Sequence, residues 1–82
     1  MKMGLLSSPQ QYTVGSTVRV TAAGHAESLS GIREGIELTV IGCNYYPTLG
    51  YWEYLCGRQS PTGYSYTVYL EEHWIEQGGN GG

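Results

Sequence analysis

The chain contains no phenylalanine and no aspartate, and it has only four basic residues among its 82 positions. Seven glutamates set against those four cations give a formal net charge of −3. Nucleic-acid binding rests on clustered lysine and arginine, which this chain lacks. We therefore expect a protein partner rather than RNA or DNA.

Long apolar runs are also missing, so the sequence predicts no membrane-spanning segment. The N-terminus is too poor in apolar residues for a signal peptide, and we expect a cytoplasmic protein. The two cysteines, Cys43 and Cys56, are too few for a disulfide framework, and free thiols fit a reducing compartment. What is abundant is glycine, at 13 positions, and tyrosine, at eight. A small core must then use tyrosines whose hydroxyls need a partner or water.

A hairpin is the most strongly predicted feature. Within residues 36–41, Ile36, Leu38 and Val40 alternate with more polar positions, which is typical of a half-buried strand. The return strand spans residues 50–57, and the segment 43–50 is predicted to be a loop because it holds Asn, Pro and Gly.

The return strand has two faces, and one of them contains Glu53. Burying an unpaired carboxylate is costly, so we expect Trp52, Tyr54 and Cys56 to point inward. A register in which paired residue numbers sum to about 94 would place Cys56 opposite Leu38 and keep the two thiols apart. His25, His73 and the cysteines also lack the close ligand spacing of zinc sites, so we expect no metal and no cofactor.

The rest of the chain supplies the other elements. Residues 1–11 are predicted to be a flexible arm and residues 78–82 a flexible tail, which leaves one domain at 12–77. A first strand is expected over 12–21, followed by a long loop over 22–35. Gly24 argues against a helix there, and Leu29 and Ile32 are the expected anchors of the loop.

After a turn at 58–63, residues 64–70 alternate again, with Tyr64, Tyr66, Val68 and Leu70 on one face. The polar segment 71–73 suits a single 3-10 turn, and extended structure resumes at 74–76. The predicted class is all-β, a small barrel of five short strands.

Three segments resemble SH3 domains. They are the glycine, acidic residue and alternating apolar run of 35–41, the paired aromatics of 50–54, and the tyrosine, single turn, aromatic and aliphatic ending of 69–76. The resemblance implies an SH3-like five-stranded barrel with a single 3-10 turn before the last strand. Thr21-Ala22-Ala23 and Glu71 replace the aromatic residues and the proline with which eukaryotic SH3 domains hold proline-rich ligands. The chain is therefore more similar to bacterial, plastid or phage SH3-like barrels that serve as docking subunits.

From this we expect a non-catalytic binding module that acts as an accessory subunit, adaptor or inhibitor. Exposed tyrosine and tryptophan are typical of interface hot spots. The candidate partner-binding residues are six aromatic or proline positions and two glutamates: Tyr45, Tyr46, Pro47, Tyr51, Tyr69, Trp74, Glu34 and Glu53.

Three alternatives remain open from the sequence. One is a nucleic-acid-associated barrel, in which exposed aromatic side chains stack on bases. Another is a steric accessory subunit with an acidic face formed by glutamates 27, 34, 37 and 53. The third is a tetramer similar to plasmid-type dihydrofolate reductases, although Tyr66-Thr67-Val68-Tyr69 stands where that family has Val-Gln-Ile-Tyr.

Overall fold

Five antiparallel strands, one short helix and one 3-10 turn make up residues 10–79, the part of the chain that the computed structural model describes. The predicted all-β class is therefore confirmed, including the single turn before the last strand. In chain order the elements are β1 Thr17–Val20, α1 Ala22–Glu27, β2 Glu37–Tyr46, β3 Tyr51–Ser60, β4 Gly63–Glu71, the 3-10 turn Glu72–Trp74 and β5 Ile75–Gln77. Residues 1–9 of the predicted arm and 80–82 of the predicted tail lie outside the described residues.

The strands form one sheet in the order β4-β3-β2-β1-β5. The predicted closed barrel is not present, because β4 and β5 do not pair with each other and each is an edge of the sheet. Every strand contributes to a single apolar core, and Ile32 joins it from the segment before β2. The buried core residues are Val18, Val20, Ile32, Leu38, Val40, Tyr54, Cys56, Leu70 and Ile75.

The predicted alternation of buried and exposed side chains in the hairpin is confirmed at the positions that form the core. Leu38 and Val40 are buried from β2, and Tyr54 and Cys56 are buried from β3, while Glu53 remains half-buried. The predicted register is wrong, since Cys56 pairs with Val40 instead of Leu38. A β-bulge between Val40 and Gly42 then shifts the pairing by one more residue, and bulges of this kind bend a strand and strengthen its twist.

The predicted loop at 43–50 is also wrong in extent. β2 continues through Tyr46, and the turn is confined to Pro47–Gly50. Two backbone N–H groups, from Leu49 and Gly50, donate to the carbonyl of Tyr46 at 3.0 and 2.7 Å. Gly50 has a φ of 78°, a conformation that favours glycine, and this lets the turn close so tightly.

A helix occupies part of the segment that was predicted to be a loop. Thr21 is the N-cap of α1, and its Oγ1 accepts a hydrogen bond from the Gly24 N–H at 3.1 Å. Gly24 is buried against Trp74, so this glycine serves helix packing and does not break the helix. Leu29 is fully exposed and is not the anchor that we expected, whereas Ile32 is buried as predicted. α1 has only six residues, and no helix within residues 10–79 has the length and apolar character needed to cross a bilayer.

Two other boundaries differ from the predictions. β1 begins at Thr17, later than expected, and the second turn is reduced to the two residues 61 and 62. A shift in the β3–β4 register between Arg58 and Gln59 lets the Tyr64 ring pack over Gly57. At the other end, Gly78 donates its N–H to the carbonyl of Thr17 at 2.9 Å, which extends the pairing beyond β5.

Candidate functional site

The aromatic side chains around the β2–β3 hairpin form two separate rows. In the inner row, Tyr45 contacts Trp52, Trp52 stacks on Tyr54, and Tyr54 meets Tyr12, with ring centroids 5.2, 6.4 and 5.4 Å apart. Tyr54 is fully buried, so this row continues directly into the core. The predicted surface residue Tyr45 therefore belongs to the row that packs on the core.

The outer row consists of Tyr46, Tyr51, His73 and Trp74. Successive ring centroids are 6.1, 5.8 and 6.3 Å apart, and each neighbouring pair meets edge to face. Tyr46 and Tyr51 are register partners across the hairpin, whereas His73 and Trp74 belong to the 3-10 turn. The structure thus brings three of the predicted site residues together through a histidine that the sequence analysis had not selected.

Carboxylates accompany the outer row along its length. The Tyr46 hydroxyl donates to Glu53 Oε1 at 2.8 Å, and this bond raises the pKa of the tyrosine. His73 Nε2 lies 2.6 Å from Glu71 Oε1. Desolvation raises the pKa of Tyr51, and the nearby Glu71 carboxylate raises it further. Both tyrosines therefore remain neutral hydrogen-bond donors beside negative charge at neutral pH.

Glu53 and Glu71 are themselves register partners on β3 and β4. Like charges directly opposite each other on adjacent strands are destabilising. Glu53 accepts from Tyr46, and Glu71 contacts both His73 and the Tyr51 hydroxyl, while an ionised carboxylate offers about four lone-pair sites. The pair therefore keeps capacity to accept hydrogen bonds from a further cationic group.

The remaining predicted residues occupy different positions around this row. Tyr69 is 60% exposed, and together with Glu53 it lines a shallow hollow. Pro47 is exposed in the turn that follows Tyr46. Glu34 is exposed in the segment before β2, next to Arg33, which lines a different cleft, so the structure does not bring it to the outer row.

Trp74 connects the row to α1. Its indole Nε1 donates to Glu27 Oε1 at 3.1 Å, and the Thr21 N–H donates to the Trp74 carbonyl at 2.9 Å. Glu27 was expected only as part of an acidic face, and its contact with Trp74 depends on the helix that the sequence analysis rejected. His73 could have been identified as a member of the row from the sequence, because it directly precedes Trp74 and lies in the predicted single turn.

The histidines and cysteines that were considered as metal ligands do not form a metal-binding group. His25 Nδ1 is 2.9 Å from the carbonyl oxygen of Ile32. Cys43 and Cys56 are both free thiols, paired in the sheet with Tyr54 and Val40 respectively. Within residues 10–79 no group of three or more metal-ligating side chains is found.

Chemically, the outer row and its carboxylates suit a cation. Aromatic faces attract ammonium and guanidinium groups, and a carboxylate adds a charge-assisted hydrogen bond. Comparisons with models of protein families, with curated proteins and with solved structures give no match for this chain.

Proposed function

We propose that the chain is a non-catalytic, SH3-like binding module that docks on a partner protein through the outer row and its carboxylates. The strand order and the position of the 3-10 turn support the SH3-like assignment. In this proposal the module is an accessory subunit, adaptor or inhibitor, and the partner presents a lysine or arginine side chain to the row.

The observation that carries the proposal is the pairing of Glu53 with Glu71 between two tyrosines. The free module bears the cost of this like-charge pair, which a folded protein could avoid with one neutral residue. A cation from a partner would convert the repulsion into two charge-assisted contacts. Arginine fits best, because its planar guanidinium can both stack on a ring and bridge two carboxylates.

Nucleic acid is a weaker candidate partner for the same surface. The carboxylates of the outer row would repel phosphate groups. Arg19 is already engaged by Glu76 at 3.0 Å and Glu37 at 3.5 Å, and Arg58 donates to the Glu37 carbonyl at 3.1 Å, which leaves Arg33 among the described arginines.

The direct test compares stability with binding in Glu53→Gln. Removing the charge should raise the free energy of unfolding by roughly 0.5 kcal/mol, since Tyr46 can still donate to the amide oxygen. The same change should weaken capture of the partner from a lysate of the source cells, read by mass spectrometry. Glu34→Gln is the matched control, because it removes the same charge from an exposed position away from the row.

A second variant pair tests the aromatic side chain that flanks the outer row, since Tyr69 lines a hollow with Glu53. Tyr69→Ala and Tyr66→Ala remove the same side chain from the same strand, and Tyr66 lines a cleft that does not include the outer row. We expect only Tyr69→Ala to reduce capture. Equal capture by wild type, Glu53→Gln and Tyr69→Ala would contradict the proposal.

A further inference from the structure

β4 presents an open edge to its surroundings. The strand is nine residues long and pairs only with β3. Every second residue of such an edge directs its N–H and C=O away from the sheet. Among the described residues, no backbone or side-chain hydrogen bond outside the β3–β4 ladder uses a β4 backbone group.

The sequence of β4 does not protect this edge. Natural proteins discourage strand addition with lysine, proline or very short edge strands. β4 contains no lysine, arginine or proline, and its only charged residue is Glu71 at the far end. Tyr64 and Tyr66 are 44% and 43% exposed at its beginning. The edge therefore has the features of a strand that accepts a neighbour.

A cleft of about 500 Å³ lies beside this edge. One wall is formed by residues 66–68 of β4 and the other by the segment 30–33 with Ile36. The volume lies within the range of sites that bind ligands, roughly 300–1,000 Å³. Within these walls, Ile32, Ile36 and Val68 provide an apolar lining that continues into the core.

The wall opposite β4 is held in place by backbone hydrogen bonds. Gly35 donates its N–H to the Val20 carbonyl at 2.8 Å, and Val20 donates to the Ile36 carbonyl at 3.0 Å. Gly31 and Gly35 have φ values of 75° and 88°, which allow the segment to turn at both ends. The cleft is thus bounded by two fixed stretches of backbone, as a site for an extended chain requires.

Arg33 adds a charge to the wall of the cleft. It is exposed, and its guanidinium has no hydrogen bond or ion pair with any other residue in the range 10–79, although its backbone carbonyl accepts from the Ile36 N–H at 3.4 Å. The other two arginines in that range are engaged, Arg19 by two glutamates and Arg58 by the Glu37 carbonyl at 3.1 Å. A carboxylate on the occupant would complement Arg33.

We propose that this cleft receives an extended segment of a partner protein, which adds to β4 as a further strand. Its backbone hydrogen-bonds the free edge of β4, its alternate apolar side chains contact Ile32, Ile36 and Val68, and an acidic side chain pairs with Arg33. Strand addition of this kind obtains affinity from the main chain and specificity from side-chain pockets. The site is separate from the outer row and does not depend on the function proposed for it.

The test uses a short acetylated and amidated peptide that alternates threonine and valine and contains one glutamate. It is titrated into the isotope-labelled full chain and followed by NMR and amide hydrogen exchange. We expect shifts at residues 66–68, Ile32 and Ile36, together with slower exchange of the outward-facing β4 amides. Methylating alternate backbone nitrogens of the peptide should abolish these effects, because it removes the hydrogen-bond donors.

Variants then separate charge recognition from folding. Arg33→Glu should weaken binding of the glutamate peptide about tenfold and favour a peptide with lysine in place of glutamate. Arg58→Glu makes the same charge change outside the cleft and should leave the affinity nearly unchanged. Tyr69→Ala should also have no effect here, whereas Tyr66→Ala should weaken binding, the reverse of the result expected at the outer row.

Four outcomes would overturn the proposal. Equal binding of the methylated peptide would exclude strand addition, and shifts centred on Tyr69 and Glu53 would move the peptide to the hollow beside the outer row. Concentration-dependent dimerisation with protected β4 amides would assign the edge to a second copy of the chain. Protection of those amides in the isolated monomer would assign it to another part of the same chain.

Discussion

Gly24 illustrates how a single residue can hold two elements together. It lies inside α1, where alanine would normally be favoured by about 1 kcal/mol. Here an added Cβ would overlap the Trp74 carbonyl oxygen and come within 3.0 Å of the Val20 side chain. The helix and the 3-10 turn can approach this closely only because the side chain is missing.

We predict that Gly24→Ala destabilises the protein by roughly 1–3 kcal/mol, because the overlap outweighs the gain in helix propensity. Urea denaturation monitored by tryptophan fluorescence would measure the change. Gly42→Ala is the matched control, since an added Cβ there meets nothing within 4 Å. Equal stability of the two variants would show that α1 can move away from Trp74 at no cost.

Among the described residues, Cys56 has the protonation that burial affects most strongly. Desolvation raises the pKa of its thiol from 9.0 to about 12. The unfolded chain therefore loses this proton at a lower pH than the folded chain does. Stability from the protonated thiol is fully present below pH 9 and is lost as the pH rises towards 12.

We predict that the free energy of unfolding falls by roughly 1 kcal/mol between pH 9 and 10 on account of this thiol. The raised pKa values of Tyr12, Tyr46 and Tyr51 start from 10.0, so their contributions begin at higher pH. Urea titrations at closely spaced pH values would give the slope. Cys56→Ala should flatten it in this window, and an unchanged slope would rule the thiol out as its source.

At the scale of single elements, α1 depends on its cap. Six residues are too few for a stable isolated helix, so the hydrogen bond from Gly24 to Thr21 and the packing on Trp74 must maintain it. The same helix positions Glu27 to accept the Trp74 indole N–H. The cap therefore also influences one end of the outer row.

We predict that Thr21→Ala lowers the free energy of unfolding by about 1 kcal/mol and breaks the hydrogen bond from the Trp74 indole to Glu27. The loss of the hydrogen bond to Glu27 should appear as a shift of the indole N–H resonance. Thr48→Ala, an exposed threonine in the β2–β3 turn, is the control and should change neither quantity. An unshifted indole resonance in Thr21→Ala would show that Glu27 is positioned without the cap.

The elements also show which features were accessible to sequence reasoning. Period-two alternation predicted the buried faces of β2 and β3, because burial of Leu38, Val40, Tyr54 and Cys56 imposes that period directly. The helix was missed because the requirement for Gly24 comes from Trp74, which is 50 positions away in the chain. Propensity is a weak guide wherever such a tertiary contact decides the local structure.

The candidate site was predictable as a set of residues but not as an arrangement. Tyr46, Tyr51 and Trp74 could be selected from residue type alone. Their association with His73 and Glu71 depends on the β3–β4 register and on the position of the 3-10 turn. Register is a non-local property. Because the pairing has two irregularities, strand partners cannot be found by counting residues away from each turn.

The whole molecule divides into a long and a short part of one sheet. β2, β3 and β4 have ten, ten and nine residues, whereas β1 and β5 have four and three. β3 lies between two long strands, while β1 is paired with a three-residue edge. Cooperative opening should therefore begin at the short strands.

We predict that β3 amides exchange most slowly and that β1 and β5 amides exchange at a lower free energy than global unfolding. Native-state hydrogen exchange across a range of low denaturant concentrations would resolve the two groups. Arg19 links β1 to Glu37 on β2 and to Glu76 on β5. Arg19→Gln should therefore lower the exchange free energy of β1 and β5 relative to β3, but only slightly, because an exposed ion pair contributes little to stability. Identical exchange free energies in β1 and β3 would indicate a single cooperative unit.

The β-bulge between Val40 and Gly42 has a consequence for the evolution of this protein. Upstream of it, even-numbered side chains of β2 enter the core, whereas downstream Cys43 packs against the core and Asn44 is exposed. Tyr46 therefore owes its outward orientation to one surplus residue. Deleting that residue would exchange Tyr45 with Tyr46 and move Tyr46 out of the outer row, although no residue of that row had been substituted.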